Sequence, residues 1–145
     1  MLIPENMPAV TITPDLYRYL PKSARELVDM LGSDLATKII LKFGGVAIDV
    51  PATKVPRSNS RNRDIFIDAL GEEGFSKLVD CFGSATLEIP LCDRVKRMMI
   101  WREMIREFDA LTKDCSSRYA RFLICVKFQI TDRQLRRVLD GKYPV

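Results

Sequence analysis

The chain has 145 residues, of which 47% are hydrophobic and 29% are charged, a composition typical of one globular domain or two very small ones rather than a disordered chain. It contains no histidine, which excludes Ser-His-Asp and Cys-His catalysis, and we expect no enzymatic activity. The net charge of +4 is unevenly spread, since residues 1–93 carry 10 basic and 13 acidic side chains whereas residues 94–145 carry 13 and 6. This basic C-terminal third favours a polyanionic partner, and a solvated basic surface is the alternative.

The cysteines and the apolar segments bear on metal binding and location. The four cysteines, Cys81, Cys92, Cys115 and Cys125, are never spaced as C-x-x-C, so a zinc site would need four separated thiolates, and we expect no metal and no cofactor. No apolar run approaches the roughly 18 residues that a membrane span needs. The first ten residues lack the basic and apolar regions of a secretion signal. We expect a cytoplasmic protein with reduced thiols and no membrane partner.

The N-terminal part of the chain is interpreted as an extended arm that leads into two helices. Four prolines fall within residues 1–21, and because proline disfavours helix, this segment is expected to lie outside the core. A capping box of Ser23 and Glu26 predicts the start of a first helix, which ends at Gly32. The spacing of apolar residues then predicts a second helix from Ser33 to Phe43.

The residues after the second helix predict a short strand. The hydrophobic period changes from 3.6 to 2 at Gly44-Gly45, which predicts a strand over residues 46–50. Gly44 is expected to adopt the left-handed conformation that stops the helix. A phosphate-binding glycine loop does not fit here, because such loops lead into a helix N-terminus and this one follows a helix C-terminus.

The same pattern returns 39 residues later. Residues 25–51 align without a gap on residues 64–90. The identical pairs include Asp29 with Asp68, Gly32 with Gly71, Lys38 with Lys77, Phe43 with Phe82, Gly44 with Gly83 and Pro51 with Pro90. This internal repeat predicts a helix-helix-strand unit used twice, so that residues 22–93 form a duplicated domain of the dimerisation type. The predicted class is mainly α with two short β-strands (α+β).

The two predicted strands, residues 46–50 and 85–89, need partners, because an isolated short strand is not stable in water. They pair either with each other, about a pseudo-twofold axis that makes an intrachain pseudo-dimer, or with a second copy in a homodimer. The positions expected to mediate strand pairing or dimerisation are Val46, Ile48, Val50, Leu87 and Ile89. Gly44 and Gly83 are the expected structural turn residues.

Residues 94–145 predict a long connecting helix followed by a C-terminal helix-turn-helix. On the connecting helix, the positions expected to face a core are Val95, Met98, Met99, Ile105 and Phe108. In the helix-turn-helix, the inward positions are Ile124, Cys125, Phe128, Ile130, Leu135, Val138 and Leu139. Thr131 is expected to cap the second helix. Gln129 occupies a turn position that often holds glycine, and a positive φ there costs about 1 kcal/mol.

The outward side chains of the second helix predict contacts with double-stranded DNA. Arginine pairs with guanine O6 and N7 and glutamine with adenine N6 and N7, so the predicted base-reading residues are Arg133, Gln134 and Arg137. The predicted phosphate contacts are Arg118, Arg121, Lys127, Thr131 and Arg136. A plain helical hairpin with a basic face is the alternative.

The order of these elements resembles the Mor/C family of phage Mu middle and late transcription activators. The residues that carry the resemblance are Phe82-Gly83-Ser84, Leu87-Glu88-Ile89-Pro90, Ile105-Arg106-Glu107-Phe108-Asp109, Ser117-Arg118-Tyr119 and the run from Lys127 to Leu139. The resemblance implies a sequence-specific DNA-binding activator that dimerises through strand pairing. It also implies contact with the alpha and sigma subunits of the host RNA polymerase.

Two hypotheses follow from the sequence. The first is a phage or prophage transcription regulator, an activator, that binds a promoter through its helix-turn-helix. The second is a protein-interaction module on a similar scaffold, which binds a host or phage protein and whose helix-turn-helix is vestigial. Replacement of Arg133 and Arg137 separates the two, because only the first hypothesis depends on these side chains.

Overall fold

The computed structural model describes residues 11–55 and 61–143. Over these ranges the chain forms helices and one antiparallel pair of short strands, which confirms the predicted class. The elements are a 3-10 turn (Tyr17–Tyr19), α1 (Lys22–Leu31), α2 (Ser33–Phe43), β1 (Ala47–Asp49), α3 (Arg61–Phe82), β2 (Thr86–Glu88), α4 (Asp93–Leu111), α5 (Ser117–Phe128) and α6 (Asp132–Leu139). The described residues divide into two compact units, residues 11–95 and residues 96–143. No helix within these ranges is long and apolar enough to cross a bilayer.

The internal repeat is visible in the backbone of the first unit. At a spacing of 39 residues, α1 and α2 correspond to the two halves of α3, which non-helical backbone at Gly71 interrupts. Gly71 (φ 77°, ψ 168°) and its equivalent Gly32 (φ 88°, ψ 160°) share a conformation that glycine enters without strain. The predicted end of the first helix at Gly32 and the predicted span of the second helix, Ser33–Phe43, are confirmed.

The core of this unit lies among α1, α2 and α3. Helices α1 and α2 bury the apolar faces that their sequence pattern predicts, and Ile39 and Ile40 are fully buried. Three aromatic rings join α2 to α3: Phe43 meets Phe66 edge-on at 5.5 Å, and Phe66 stacks on Phe75 at 6.3 Å. These ring contacts hold the second helix of the first repeat against the second repeat.

Strands β1 and β2 pair with each other within the chain. The antiparallel register places Ile48 opposite Leu87, and the flanking pairs are Ala47 with Glu88 and Asp49 with Thr86. Of the predicted pairing positions, Ile48, Val50 and Ile89 are buried, Leu87 is half-buried and Val46 is exposed. The backbone of Val46 nevertheless takes part in the pairing, because its carbonyl accepts from the amide of Ile89 at 3.0 Å.

The turn between the second helix of each repeat and its strand differs from the expectation. Gly44 has φ −54° and ψ 130°, so the prediction that Gly44 is the left-handed residue is wrong. The positive φ lies one residue later, at Gly45 (84°) and at its equivalent Ser84 (69°). At Gly83 the constraint is space, because an added Cβ would lie 2.7 Å from the carbonyl oxygen of Val79. Glycine is thus present at both equivalent positions, Gly44 and Gly83, without a left-handed backbone at either.

Residues 11–20 belong to the core, and the interpretation of residues 1–21 as an arm outside it is wrong for them; residues 1–10 lie outside the described residues. Their apolar side chains Ile12, Leu16 and Leu20 are buried. The amide of Ile12 donates to the hydroxyl of Thr37 at 2.9 Å. Prolines limit helix in this segment but do not prevent burial of the apolar residues between them.

The predicted capping box is also wrong. Helix α1 begins at Lys22, one residue before Ser23, with Pro21 at its N-cap and no side-chain cap. Its first hydrogen bond runs from the Arg25 amide to the Pro21 carbonyl at 3.0 Å. Proline fits this position because its fixed φ suits the entry to a helix.

The second unit has its own core, formed by α4, α5 and α6. The buried residues of this core are Ile100, Met104, Ile124, Phe128 and Leu135. Of the predicted inward residues of α4, Phe108 is half-buried and packs against this core, Ile105 is half-buried, and the buried α4 positions of this core are Ile100 and Met104. Residues 98–101 are four consecutive apolar residues, so the helical period alone does not fix which face of α4 meets the other helices.

Candidate nucleic-acid interface

Helices α5 and α6 are joined by the three-residue turn Gln129-Ile130-Thr131. Gln129 is left-handed (φ 56°, ψ 52°) and its amide donates to the carbonyl of Cys125, which ends α5. Ile130 packs against the core of the second unit, as predicted for the residue that fills the turn. Thr131 caps α6, because its hydroxyl accepts from the Gln134 amide at 3.1 Å. The turn therefore has the inward residue and the helix cap that the sequence predicts, and Gln129 adopts a positive φ there without being glycine.

Helix α6 is strongly amphipathic. Leu135 and Val138 are buried and Leu139 is half-buried against the core. All the polar residues of α6 are exposed, namely Asp132, Arg133, Gln134, Arg136 and Arg137. The burial of three apolar residues fixes the rotation of α6, so its arginines necessarily lie on the outer surface.

The base-reading candidates occupy two sides of this outer surface. Arg133 and Arg137 lie one turn apart and, together with Arg136, line an open depression on α6. Gln134 lies on the other side, where it lines a separate depression with Trp101 of α4. Arg133 and Arg137 form no ion pair with any residue in the described ranges, so their donors are available to a ligand.

Two of the phosphate candidates share one carboxylate. Arg121 of α5 donates from Nε to Asp132 Oδ1 at 3.0 Å, and Arg136 donates from Nε to Asp132 Oδ2 at 2.8 Å. The Arg121 side chain is 20% exposed, whereas that of Arg136 is 61% exposed. Asp132 thus links the start of α6 to α5. Of the two arginines that it binds, only Arg136 presents most of its surface to solvent.

The other phosphate candidates lie in different surroundings. The role of Lys127 as a phosphate contact stays a prediction, and its ammonium already forms an ion pair with Glu107 of α4, with both side chains largely buried. The physical reason is that a buried carboxylate requires a nearby cation. Arg118 is exposed near the start of α5 and has no ion-pair partner among the described residues. Thr131 is exposed, but its hydroxyl oxygen already serves as the cap of α6.

Cys125, one of the predicted inward positions of the helix-turn-helix, is half-buried and packs against the core of the second unit. Burial raises the pKa of the Cys125 thiol, and the nearby Asp132 carboxylate raises it further, while Arg121 opposes this effect. The thiol is therefore protonated at neutral pH and behaves as a small apolar side chain within the helix crossing.

Three features of this unit were not predicted from the sequence. The bond between Arg121 and Asp132 crosses the turn, and no spacing rule indicates it, although the spacing of Asp132 and Arg136 by four residues is a known signal. The ring of Trp101 stacks on that of Tyr143 at 4.6 Å. A stripe of exposed apolar residues on α5, at i, i+3 and i+7, consists of Tyr119, Phe122 and Val126. That helical spacing is a signal that could have revealed the stripe.

The chain gave no match to any protein-family model, to any curated protein or to any solved structure.

Proposed function

We propose that this chain is a sequence-specific DNA-binding transcription regulator that places α6 in the major groove of double-stranded DNA. The observation that carries the proposal concerns Arg133 and Arg137, which are both exposed and form no ion pair with a described residue, on a helix whose other face is fixed by the core. A major groove about 12 Å wide admits an α-helix, and a helix-turn-helix inserts the N-terminal part of its second helix. The positions of Arg133 and Gln134 in the first turn of α6 suit this mode.

In this proposal the exposed side chains of α6 read bases. A guanidinium that donates to guanine O6 and N7 discriminates against other bases by about 1–3 kcal/mol. Arg133 and Arg137 are assigned this role because they project from the same face one turn apart. Gln134 is assigned to an adjacent base, and its side chain leaves the helix on the side of Trp101.

Phosphate contacts orient the helix and supply most of the salt-dependent affinity. Arg118 and Arg136 are assigned to phosphates because both are exposed. Arg121 is assigned mainly to holding Asp132, and Asp132 fixes the first turn of α6 against α5. The carboxylate also repels phosphates, so it limits how closely this edge of the helix approaches the DNA backbone.

The regulatory role rests on the resemblance to the Mor/C family and not on the geometry. On that basis we propose an activator from a phage or prophage that recruits the alpha and sigma subunits of the host RNA polymerase. Transcription in vitro from a selected promoter tests this role. Activation is the expected result, and repression by the bound protein contradicts it.

Binding-site selection from random duplexes tests the DNA-binding function itself. Wild-type protein is expected to enrich a defined sequence, whereas Arg133→Ala and Arg137→Ala are each expected to relax the preference at one position and to weaken binding about 5- to 150-fold, since 1–3 kcal/mol is lost. Lys113→Ala is the matched control, because it removes one exposed cation of the same unit outside α6. Absence of binding by wild-type protein at low salt contradicts the proposal.

The exposed stripe of Tyr119, Phe122 and Val126 favours a second candidate function, that of a protein-interaction module. Tyr119 and Phe122 stack at 6.2 Å and, like Val126, are more than half exposed. Exposed apolar residues that recur along a helix are typical of surfaces that bind a partner protein. Phe122→Ser tests it: loss of regulation in cells with unchanged DNA affinity indicates a protein partner, and normal regulation contradicts this candidate.

A further inference from the structure

In the unit of residues 11–95, two arginine side chains lie against one tyrosine ring. The Cζ atom of Arg94 is 4.4 Å and that of Arg18 is 4.8 Å from the centroid of the Tyr19 ring. Arg18 also donates from Nη2 to the Tyr19 hydroxyl oxygen at 2.6 Å. These three residues form what we term the arginine–tyrosine cluster.

The positive charge of this cluster is not neutralised by the described residues. Arg18 and Arg94 are both exposed, and neither forms an ion pair with a described carboxylate. Carboxylates are not scarce in this unit, since residues 11–95 contain 11 basic and 12 acidic side chains. Two cations have therefore converged on one ring in a unit whose basic and acidic side chains are nearly equal in number.

Local helix stability does not account for Arg94. It lies in the first turn of α4, where the positive end of the helix dipole disfavours a cation. Stacking on Tyr19 holds the guanidinium in place but leaves its charge intact, because the ring contributes only a quadrupole. An anion bound beside the cluster relieves both the repulsion between the guanidinium groups and the unfavourable dipole.

We propose that the arginine–tyrosine cluster binds a phosphate of the DNA backbone, as a contact separate from α6. This inference rests on the proposed DNA-binding function. A guanidinium that lies over a ring keeps N–H groups that can donate to phosphate oxygens, and Arg18 uses one nitrogen for the Tyr19 hydroxyl and retains others. The Tyr19 hydroxyl accepts from Arg18, which leaves its own hydrogen to donate to the same anion.

The chemistry of the cluster favours a phosphate over an acidic protein segment. The free polar groups of the three side chains are hydrogen-bond donors, which match the oxygens of a phosphate. DNA presents phosphates at every step of its backbone, so a site of this kind binds it without reading sequence. The cluster is thus expected to add affinity and to leave sequence preference to α6.

The salt dependence of DNA binding by the full chain tests this site. The variant Arg18→Gln/Arg94→Gln and wild-type protein are titrated with a selected duplex and with a random duplex at several salt concentrations. The slope of log K against log salt concentration is expected to become shallower by about 1, because each phosphate contact contributes roughly 0.9. The fall in affinity is expected to be equal for the two duplexes.

Lys38→Gln/Lys42→Gln is the matched control. It removes two positive charges from exposed positions of α2 in the same unit. Neither lysine belongs to the arginine–tyrosine cluster, so this variant is expected to leave the salt slope unchanged. Tyr19→Phe keeps the ring and removes the hydroxyl, so it is expected to weaken binding less than the double arginine variant. Thermal unfolding of each variant verifies that the fold is retained.

The outcomes separate this inference from the proposed function. If wild-type protein binds neither duplex, both fail. If wild-type protein binds with a sequence preference that Arg133→Ala relaxes at one position, while Arg18→Gln/Arg94→Gln keeps the wild-type slope, only the cluster assignment is overturned. Wild-type protein and the double arginine variant are also compared for retention on an immobilised acidic polypeptide. If only the variant loses retention, while its DNA salt slope equals that of wild-type protein, the phosphate assignment is overturned in favour of a protein partner.

Discussion

Ile48 and Leu87 occupy equivalent positions of the two repeats and are partners at the centre of the antiparallel strand pair. A register in which a residue faces its own equivalent places a local twofold axis between the two strands. The hydrogen bonds follow the same symmetry. The amide of Gly45 donates to the carbonyl of Ile89 as that of Ser84 donates to Val50. Because the helix-helix-strand unit is duplicated, its strand finds its partner within the same chain. A single unit of this kind has to pair its strand with that of a second copy.

A disulfide across the strands tests this intrachain pairing. Ala47 and Glu88 are directly opposed, and Cβ atoms of such pairs lie about 4.5–5.5 Å apart, close to the range that a disulfide bridges. The variant Ala47→Cys/Glu88→Cys is expected to oxidise to an intramolecular disulfide. Electrophoresis without reductant is expected to show a monomer, and mass spectrometry is expected to find the linked peptide.

The control for this disulfide is a pair that is out of register. In Ala47→Cys/Thr86→Cys the second cysteine is displaced by two residues, because Thr86 faces Asp49, and it is expected to oxidise much more slowly. Peptide mapping separates the designed link from links to the four native cysteines. A covalent dimer joined through position 47 of one chain and position 88 of another contradicts intrachain pairing.

The turn residues Gly45 and Ser84 offer a second test, in which each position receives the other's residue. Both have positive φ, so Ser84→Gly removes strain and is expected to raise the free energy of unfolding by up to about 1 kcal/mol. Gly45→Ser introduces this strain and places a Cβ 2.9 Å from Leu91, so a loss of about 1–2 kcal/mol is expected. Urea unfolding measures both, and effects of the same sign contradict the argument.

The glycine pair also shows what the repeat could and could not predict. The alignment at 39 residues placed α2 and the strand pair correctly, because two copies constrain each boundary twice. It favoured Gly44 as the left-handed residue because glycine is retained at Gly83. The retained glycine reflects the lack of room for a Cβ at Gly83, and a sequence does not distinguish that constraint from a positive φ.

The candidate interface was predictable where it depends on local periodicity. The buried residues Leu135 and Val138 and the cap at Thr131 follow from spacing along one helix. The partners of Lys127 and Arg121 were not predictable, because they come from other helices. Lys127 meets Glu107 across 20 residues of sequence and Arg121 meets Asp132 across 11. Only the folded chain shows which cations are already paired.

Removal of the Asp132 carboxylate is expected to increase non-specific DNA binding. Asp132→Asn releases Arg121 and Arg136 and ends the repulsion of nearby phosphates, so the salt slope is expected to steepen by about 1 if one released arginine reaches a phosphate. The loss of unfolding free energy is expected to stay near or below about 1 kcal/mol, because the shared Asp132 carboxylate is half exposed. Fluorescence anisotropy with a random duplex measures the affinity. Asp114→Asn, an exposed acidic residue of the same unit, is the control, and equal effects of the two variants contradict the prediction.

The reactivity of Cys125 reports on the same carboxylate without any DNA. Burial and then Asp132 raise the pKa of its thiol, and only the thiolate reacts with iodoacetamide, so the alkylation rate is expected to level off at a higher pH than in the unfolded chain. Asp132→Asn removes a group that raises the pKa, and it is expected to shift the profile to lower pH. Arg121→Gln removes a group that lowers the pKa and is expected to shift it to higher pH. Mass spectrometry of the peptide from native protein, sampled from neutral to alkaline pH, gives the midpoint of each profile. Burial alone slows the reaction without changing the order of the variants, so the order of the three midpoints is the decisive readout.

A midpoint for Asp132→Asn at or above the pH midpoint of wild-type protein contradicts the placement of Asp132 beside this thiol.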